Sequence, residues 1–562
     1  MRKLFRGAAR ATAFGLLLAC PLVSSTTAAQ NLPTLGDSER EELTPYMERK
    51  IGDIIMREVR RDPDYIDDAP LLEYLNNLGN NLVEAKPEVR GEANYDFSFF
   101  VVRDPTINAF ALPGGFVAVH SGLFLAAQSE SELAGVVGHE IGHVAQRHIA
   151  RMLGQERKDS LIPLAAMALA MLAARSSPDA ATALAVSGEA LALQRQLAFS
   201  RDAEREADRV GLQIMSTAGY DASGMVSFFG RMQKATRLYH DVPAFLQNHP
   251  MTSERIADMQ GRINNMPYKQ HVDSMSFRII QARLRVLQDS TTQGLHDANT
   301  FFQNQLEMNP HTEAVAAKYG MAFVALKRGE YDKAATLLHQ SREAAQRLAA
   351  AHPDTTWGAI VDSLEIDIDQ ESGKTAEAVK FADAARERYP LSRGIVHQYV
   401  DALLADGRRD EAIAYLRDQA QLYREEPQLQ ALLAKAYAEE DKKALQHLAL
   451  AEEYALDGSL MAALDQLGMA RKAGDATFYE NSVIDARERE FKERWNDEQV
   501  MLNKKKDKDK DGDKDKNGLR VFAGSDHISA QCDPVTASGD DAHFSLTPPR
   551  GLSCPPGLQA QP

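Results

Sequence analysis

His139 and His143 stand four residues apart, with Glu140 beside the first, in the run His139-Glu140-Ile141-Gly142-His143. On a helix, positions i and i+4 share a face one turn apart, so two imidazoles at this spacing can reach one zinc ion. The glutamate between them can address a water at that ion. A catalytic zinc site also wants a third protein ligand and one open position. Residues 200–208, SRDAEREAD, offer carboxylates for that place: Glu204 and Asp208 share a helix face, while Glu206 points elsewhere. Alone, such a stretch reads as a solvated helix of alternating charge. Beside the histidine pair it reads as part of a metal site. His148, five residues past His143, falls off the ligand face and is expected to pack or hydrogen-bond rather than ligate.

The elements that must position these groups can be read from periodicity. Tyr46, Ile51, Ile55 and Val59 recur at helical spacing, so the chain is expected to be helical from Ser38 to about Pro87. Between Tyr95 and His120 the period shortens to β-type runs over residues 97–102, 109–112 and 116–119. Pro113-Gly114-Gly115 forms the turn between the last two. Ser129 and Glu132 have capping-box spacing, which predicts a helix from there through His148.

Composition narrows the function classes. The 562 residues suggest about three domains. Their 44% hydrophobic and 26% charged content is that of a folded globular protein. A formal net charge of −16 repels phosphates, which argues against nucleic acid as a partner. At the N-terminus, Arg2, Lys3, Arg6 and Arg10 precede an apolar run and then Thr27-Ala28-Ala29, the pattern of a secretory signal over residues 1–29. Release after Ala29 implies export. A competing box at Leu17-Leu18-Ala19-Cys20 would leave a lipidated Cys20, but Leu18 and Pro21 fit it poorly. Residues 160–174, SLIPLAAMALAMLAA, carry no charge yet are short for a membrane span. They read as a buried or lid helix, or as an interfacial or substrate-contacting hydrophobic surface, which leaves peripheral membrane association open.

Beyond about Asp297 an internal repeat emerges. Gly329, Gly373, Gly407 and Gly458 are each followed five residues later by alanine, at 334, 378, 412 and 463, and prolines at 310, 353, 390 and 427 separate the units. Glycine permits a tight turn between paired helices and alanine permits close packing, as in tetratricopeptide-type repeats; a non-repetitive helical bundle is the alternative. Residues 504–516, KKKDKDKDGDKDK, resemble the start of a calcium loop at Asp507, Asp509, Asp511 and Gly512. Gly518 stands where the bidentate glutamate belongs, so a solvated linker is expected, followed by a poorly ordered tail. Cys532 and Cys554 could close one disulfide in an exported chain.

The peptidase half resembles the M48 family of zinc metallopeptidases, through NAFALPGG at 108–115, VHSGLF at 119–124, HEIGHVAQRH at 139–148, SRDAEREAD at 200–208 and NHP at 248–250. The resemblance implies a mainly α protein: a gluzincin-type α+β metallopeptidase domain with a small β-sheet over residues 30–270. A helical linker and a tetratricopeptide-repeat solenoid follow over 271–500, and a Lys/Asp-rich linker and tail over 501–562. It implies one zinc ion held by His139, His143 and Glu204, with Asp208 behind the ligands and Glu140 as general base. His249 is implied as a fourth, autoinhibitory ligand, a structural loop histidine being the alternative. The strand Ala109, Phe110, Ala111, Leu112 could take substrate as an added strand. Export and repeats together imply a periplasmic endopeptidase. Its clients would be unfolded or misassembled outer-membrane β-barrel proteins, and its repeats would contact the barrel-assembly machinery. A chaperone or scaffold with a latent zinc site is the competing implication.

Overall fold

The computed structural model describes residues 44–91, 94–155, 200–238, 243–309, 314–349 and 356–517. The expected export signal with Cys20, the uncharged stretch at 160–174, Pro310, Pro353, Cys532 and Cys554 lie outside the described residues. The chain divides into a unit over Met1–Trp495 and a second over Asn496–Pro562. No helix among the described residues is long and apolar enough to cross a membrane.

The N-terminal helical stretch is two helices, α1 (Pro45–Val59) and α2 (Ala69–Ala85). The break falls around Pro63, and Asp68 restarts the helix by accepting from the backbone N–H of Leu71. Three strands follow, β1 (Ser98–Val102), β2 (Ala109–Leu112) and β3 (Phe116–His120), in the order β1-β3-β2. β3 runs parallel to β1 and antiparallel to β2, with Phe110 opposite Ala118. The two-residue period divides the side chains: Phe99, Val101, Val117 and Val119 enter the main core, while Phe100, Val102, Phe116 and Ala118 pack under Ile55, Met56 and Val59 of α1. The outer edge of β1 is covered, since Tyr65 bridges to Val102 and Ile66 donates to Val101. β2 forms the other edge.

Helix α3 (Ser121–Ala126) leads to α4 (Glu130–Ala145), capped by Ser129 as its spacing predicts. The expected helix through His148 ends three residues earlier. Arg147 turns the chain at φ 52°, and α5 (His148–Gln155) starts in a new direction. The left-handed residue is held by an ion pair of Arg147 with the buried Glu48, which also accepts from Tyr95 at 2.6 Å. Then come α6 (Arg201–Ala218), α7 (Ser223–Leu238), α8 (Ala244–Asn248), α9 (Ser253–Ile263), α10 (Met275–Gln288) and α11 (Thr292–Met308).

The start of α4 is tied to the segment before α10. Glu130 accepts from Tyr74 at 2.7 Å, from the Ser274 hydroxyl at 2.8 Å and from its N–H at 2.9 Å, and lies 3.0 Å from His271 Nε2. The Glu130 bond raises the His271 pKa against the opposing effect of burial. Burial likewise opposes the ionised Glu130 but is outweighed, so its pKa is lowered. A raised histidine pKa contributes stability that is whole below the unfolded value and fades as pH rises through the folded one. The lowered Glu130 value preserves its share until pH falls into the carboxylate range. His271→Gln is therefore expected to lower the denaturation midpoint clearly at about pH 5.5 and little at about pH 9. Chemical denaturation at the two pH values checks this, and an equal loss at both would refute it.

Helices α12 (Ala314–Lys327) and α13 (Tyr331–Ala349), α14 (Trp357–Glu371) and α15 (Thr375–Arg388), α16 (Arg393–Ala405) and α17 (Arg409–Leu422), and α18 (Pro427–Glu439) and α19 (Lys443–Leu456) follow as pairs; α20 (Leu460–Lys472) and α21 (Phe478–Asn517) complete the described chain. Gly329, Gly373 and Gly407 turn three of the pairs at φ 72°, 80° and 76°, and Gly458 separates α19 from α20 at φ 77°. Ala334, Ala378, Ala412 and Ala463 are fully buried. In the α18–α19 pair Asp441 takes the left-handed position at φ 56°, so no glycine marks that turn. The Lys/Asp-rich run expected as a solvated linker is helical through Asn517. It continues a helix already nucleated at Phe478, which costs less than starting one.

The first helices of the array share a core with the region before them: among the described residues one cluster takes members from Ile66 to Ile368, and the later helices pack in clusters of their own. Arg283 of α10 forks onto Asp68 at 2.8 Å and donates to Tyr319 at 2.8 Å. Glu73 of α2 caps α16, accepting from Ser392 at 2.9 Å and from the Gly394 N–H at 2.5 Å.

Candidate metal centre

Helix α4 is buried along nearly its whole length because α6, α7 and the sheet all pack on it, and it carries His139, Glu140 and His143 fully out of solvent. Its glycines set the distance to α6. A Cβ on Gly142 would stand 2.9 Å from both the Cα and the O of Ala207, and one on Gly211 would stand 3.0 Å from the His139 N. Backbones this close bring the His139–His143 face directly against Glu204 and Asp208, one turn apart on α6. Ser200 caps α6 through the Ala203 N–H. The third contributor is the end of α8, where His249 follows Asn248 and its ring stacks on Phe245 at 4.5 Å.

His139, His143, Glu204 and His249 offer donor atoms that all lie within 4.8 Å of one another, and all four residues are buried. His139 Nε2 is 3.0 Å from His143 Nε2 and 3.3 Å from His249 Nδ1. Glu204 Oε1 is 3.0 Å from His249 Nδ1 and 3.6 Å from His143 Nε2. The far nitrogens face outward: His139 Nδ1 lies 3.0 Å from Asp208 Oδ1, and His143 Nδ1 lies 2.9 Å from His148 Nδ1. Glu140 borders the cluster, with Oε1 3.6 Å from His249 Nε2.

The electrostatics favour a positive charge at this point. Burial opposes ionisation of Glu204, but His249 and His139 outweigh it and hold the carboxyl well below its ordinary range. Burial would also lower His139, yet Asp208 and Glu204 push it up to about 9. His143 is driven well down by burial and by its neighbour His139, leaving a neutral imidazole, the form that donates to a metal. Imidazole and carboxylate donors converging out of water suit zinc. Burial raises the Glu140 pKa, and its carboxylate oxygens lack a side-chain hydrogen-bond partner.

Of the residues singled out from the sequence, His139, His143, Glu204, Asp208, Glu140 and His249 come together here. Ala109–Leu112 is edge strand β2, with Phe110 and Ala111 half-buried and the Ala111 backbone beside Glu140. Glu206 points away, to His148 at 3.1 Å and Arg151 at 2.6 Å. His148, expected to pack or hydrogen-bond rather than ligate, does so against His143, a partner its sequence position does not name. The sequence misses Arg255 on α9, whose Nε and Nη2 each donate to Asp208 at 2.8 Å. Arg255 Nη1 lies 2.7 Å from Glu204 Oε2 and donates to the Pro250 carbonyl at 2.8 Å. The one local signal is Thr252, which caps α9 and so aims its first turn at the site.

Gly142→Ala is expected to force α4 and α6 apart, at a cost of about 1–3 kcal/mol from overpacking, and to reduce the zinc retained after dialysis. Denaturation midpoint and elemental analysis read both effects. An unchanged variant would mean that the close approach does not set the ligand geometry.

Residues 73–263 match the model of peptidase family M48. The Escherichia coli K12 beta-barrel assembly-enhancing protease is 31% identical over 461 residues, covering 82% of this chain and 91% of that protein. A Vibrio cholerae protein assigned the same name is 37% identical over 329 residues, 58% of this chain and 66% of its own length. A mitochondrial metalloendopeptidase of Schizosaccharomyces pombe is 28% identical over 253 residues, 44% of this chain and 70% of that protein. With its buried cluster of metal-type donors and a match along nearly the whole of such a relative, the chain belongs to peptidase family M48 and is a zinc metalloprotease.

Proposed function

We propose that the chain is an exported zinc endopeptidase of the periplasm that degrades misfolded or stalled outer-membrane β-barrel proteins and assists their assembly. The observation that carries the catalytic part is Glu140, a buried carboxylate at the edge of the donor cluster and beside the backbone of edge strand β2. In this reading His139, His143 and Glu204 hold the ion, and Asp208 and His148 orient the two imidazoles from behind. Bound zinc supplies a Lewis acid for the scissile carbonyl and makes water more acidic. Glu140 takes the proton from the attacking water and delivers it to the leaving amine nitrogen. β2 adds the substrate as a further strand, so recognition is by main chain and suits an unfolded client. The names of the relatives support the choice of β-barrel clients. The paired helices of residues 271–500 are tetratricopeptide-type repeats that hold the client or the barrel-assembly machinery, and residues 30–270 form the peptidase domain.

His249 serves as a fourth donor where a catalytic site needs an open position. Its burial among the donors supports a latent ground state, and favours the second reading, a chaperone or scaffold whose zinc site is seldom open. His249→Ala separates the two. It is expected to keep about one zinc per chain, since two imidazoles and a carboxylate suffice, and to cleave an unfolded β-barrel substrate faster than the unaltered protein. Zinc in both proteins with cleavage by neither would favour the scaffold.

A further inference from the structure

Away from the metal centre, Arg285 stands partly buried without an anionic partner among the described residues. Helix α10 presents Arg278, Gln281 and Arg285 to a cavity of about 240 Å³ walled by the end of α3, by α11 and by Ala316 of α12. Two of the three are engaged. Arg278 pairs with Asp273 at 2.6 Å and donates to the Gln128 carbonyl at 3.1 Å. Gln281 donates to the carbonyls of Phe124 and Ala127 at 3.2 and 2.8 Å. Arg285 makes no ion pair or hydrogen bond among the described residues. Its guanidinium lies over the ring of Phe301, 3.7 Å from the centroid. Burial lowers its pKa, as for a cation given no counter-charge.

A guanidinium in this position loses hydration with only the Phe301 ring to offset it. Stacking occupies its face and leaves the N–H groups of its edge free, in the planar fork that matches a carboxylate. One fork suits one carboxylate; a phosphate dianion calls for more cationic donors than Arg285 alone supplies. Gln128 and Gln305 aside, the remaining walls are apolar: Leu125, Ala127, Ala282, Phe302 and Ala316. The ligand must therefore carry an apolar group next to its carboxylate. The volume is below that of pockets enclosing drug-sized molecules and is sized for a single residue. An exit is built in, because Phe301 and Met308, seven positions apart on one face of α11, are exposed by 36% and 74%. Gln305, between them, lines the same cavity and offers an amide to a peptide group.

We infer that this cavity binds the free C-terminal carboxylate of a polypeptide, with Arg285 forked onto the carboxylate, the terminal apolar side chain in the pocket and the preceding residues along Phe301 and Met308. It is a binding site separate from the metal centre and requires no cleavage. The test is fluorescence anisotropy on the full, zinc-loaded chain carrying Glu140→Gln, which keeps the probe intact. The probes are one labelled peptide ending in Leu-Phe, as the free acid and as the C-terminal amide. The acid is expected to bind roughly tenfold tighter or more, the size of a charge-assisted pair of hydrogen bonds. Arg285→Gln should erase that preference, and Arg285→Lys should keep only part of it. Equal binding of acid and amide by the chain with Arg285 intact overturns the inference without reliance on any pocket variant. So does a preference that survives Arg285→Gln. If acetate or inorganic phosphate binds as tightly as the peptide acid, the pocket is a small-anion site and the polypeptide terminus is wrong.

Discussion

Glu140→Gln is expected to lower peptide-bond hydrolysis by roughly a hundred- to ten-thousand-fold, the span of a general base, while zinc content stays at about one per chain. The amide has nearly the carboxylate's shape but no basic lone pair of use at neutral pH, so the proton of the attacking water has nowhere to go. Stability should not suffer. Glu140 is fully buried, its oxygens have no side-chain hydrogen-bond partner, and burial outweighs the attraction of His249 and His139 in raising its pKa, so a neutral group in its place removes a net desolvation cost. The variant should therefore melt at or above the temperature of the unaltered protein. Cleavage of an unfolded β-barrel substrate, elemental analysis and a melting curve on one preparation decide the matter. Cleavage at the original rate would remove Glu140 from the mechanism, and loss of zinc together with activity would make it a ligand. Client binding that persists without cleavage would show the two to be separable, which the scaffold reading also requires.

Much of this site was legible because its information is local. His139 and His143, and Glu204 and Asp208, are each one helical turn apart, and a four-residue spacing says which side chains share a face before any tertiary contact is known. The Ser129 cap and the positive-φ turn at Gly114 and Gly115 are local in the same way. The paired-helix turns were visible where glycine makes them and invisible at Asp441, where an ordinary residue adopts the same backbone. The end of α4 was misjudged because Arg147 leaves the helix for an ion pair with Glu48, 99 residues away in sequence. His148 then reaches His143 from a second helix rather than from the next turn of the first. Arg285 was illegible for the opposite reason: its distinction is a partner that is missing, and periodicity records only which positions are occupied.

Arg255→Met should be the most damaging single change near the metal centre that leaves every metal donor itself in place. Arg255 is buried, and each of its three nitrogens has a specific acceptor: two on Asp208, and for the third both Glu204 and the Pro250 carbonyl. Methionine fills much of the volume but leaves two buried carboxylates without their shared cation, and breaking a buried pair in this way costs about 3–5 kcal/mol. Arg255→Lys should recover little, since one ammonium cannot reproduce the fork on Asp208 while reaching Glu204 and Pro250. The damage should also be chemical. Asp208 backs His139, Glu204 is a donor in the cluster, and Pro250 follows His249, so one guanidinium fixes three of the groups that define the site. Bound zinc would neutralise part of the excess negative charge, so the stability loss should be larger after chelation than before it. Denaturation midpoints of both proteins with and without chelator test this directly. An equal loss in the two conditions would mean that Arg255 supports the fold without acting through the ligands.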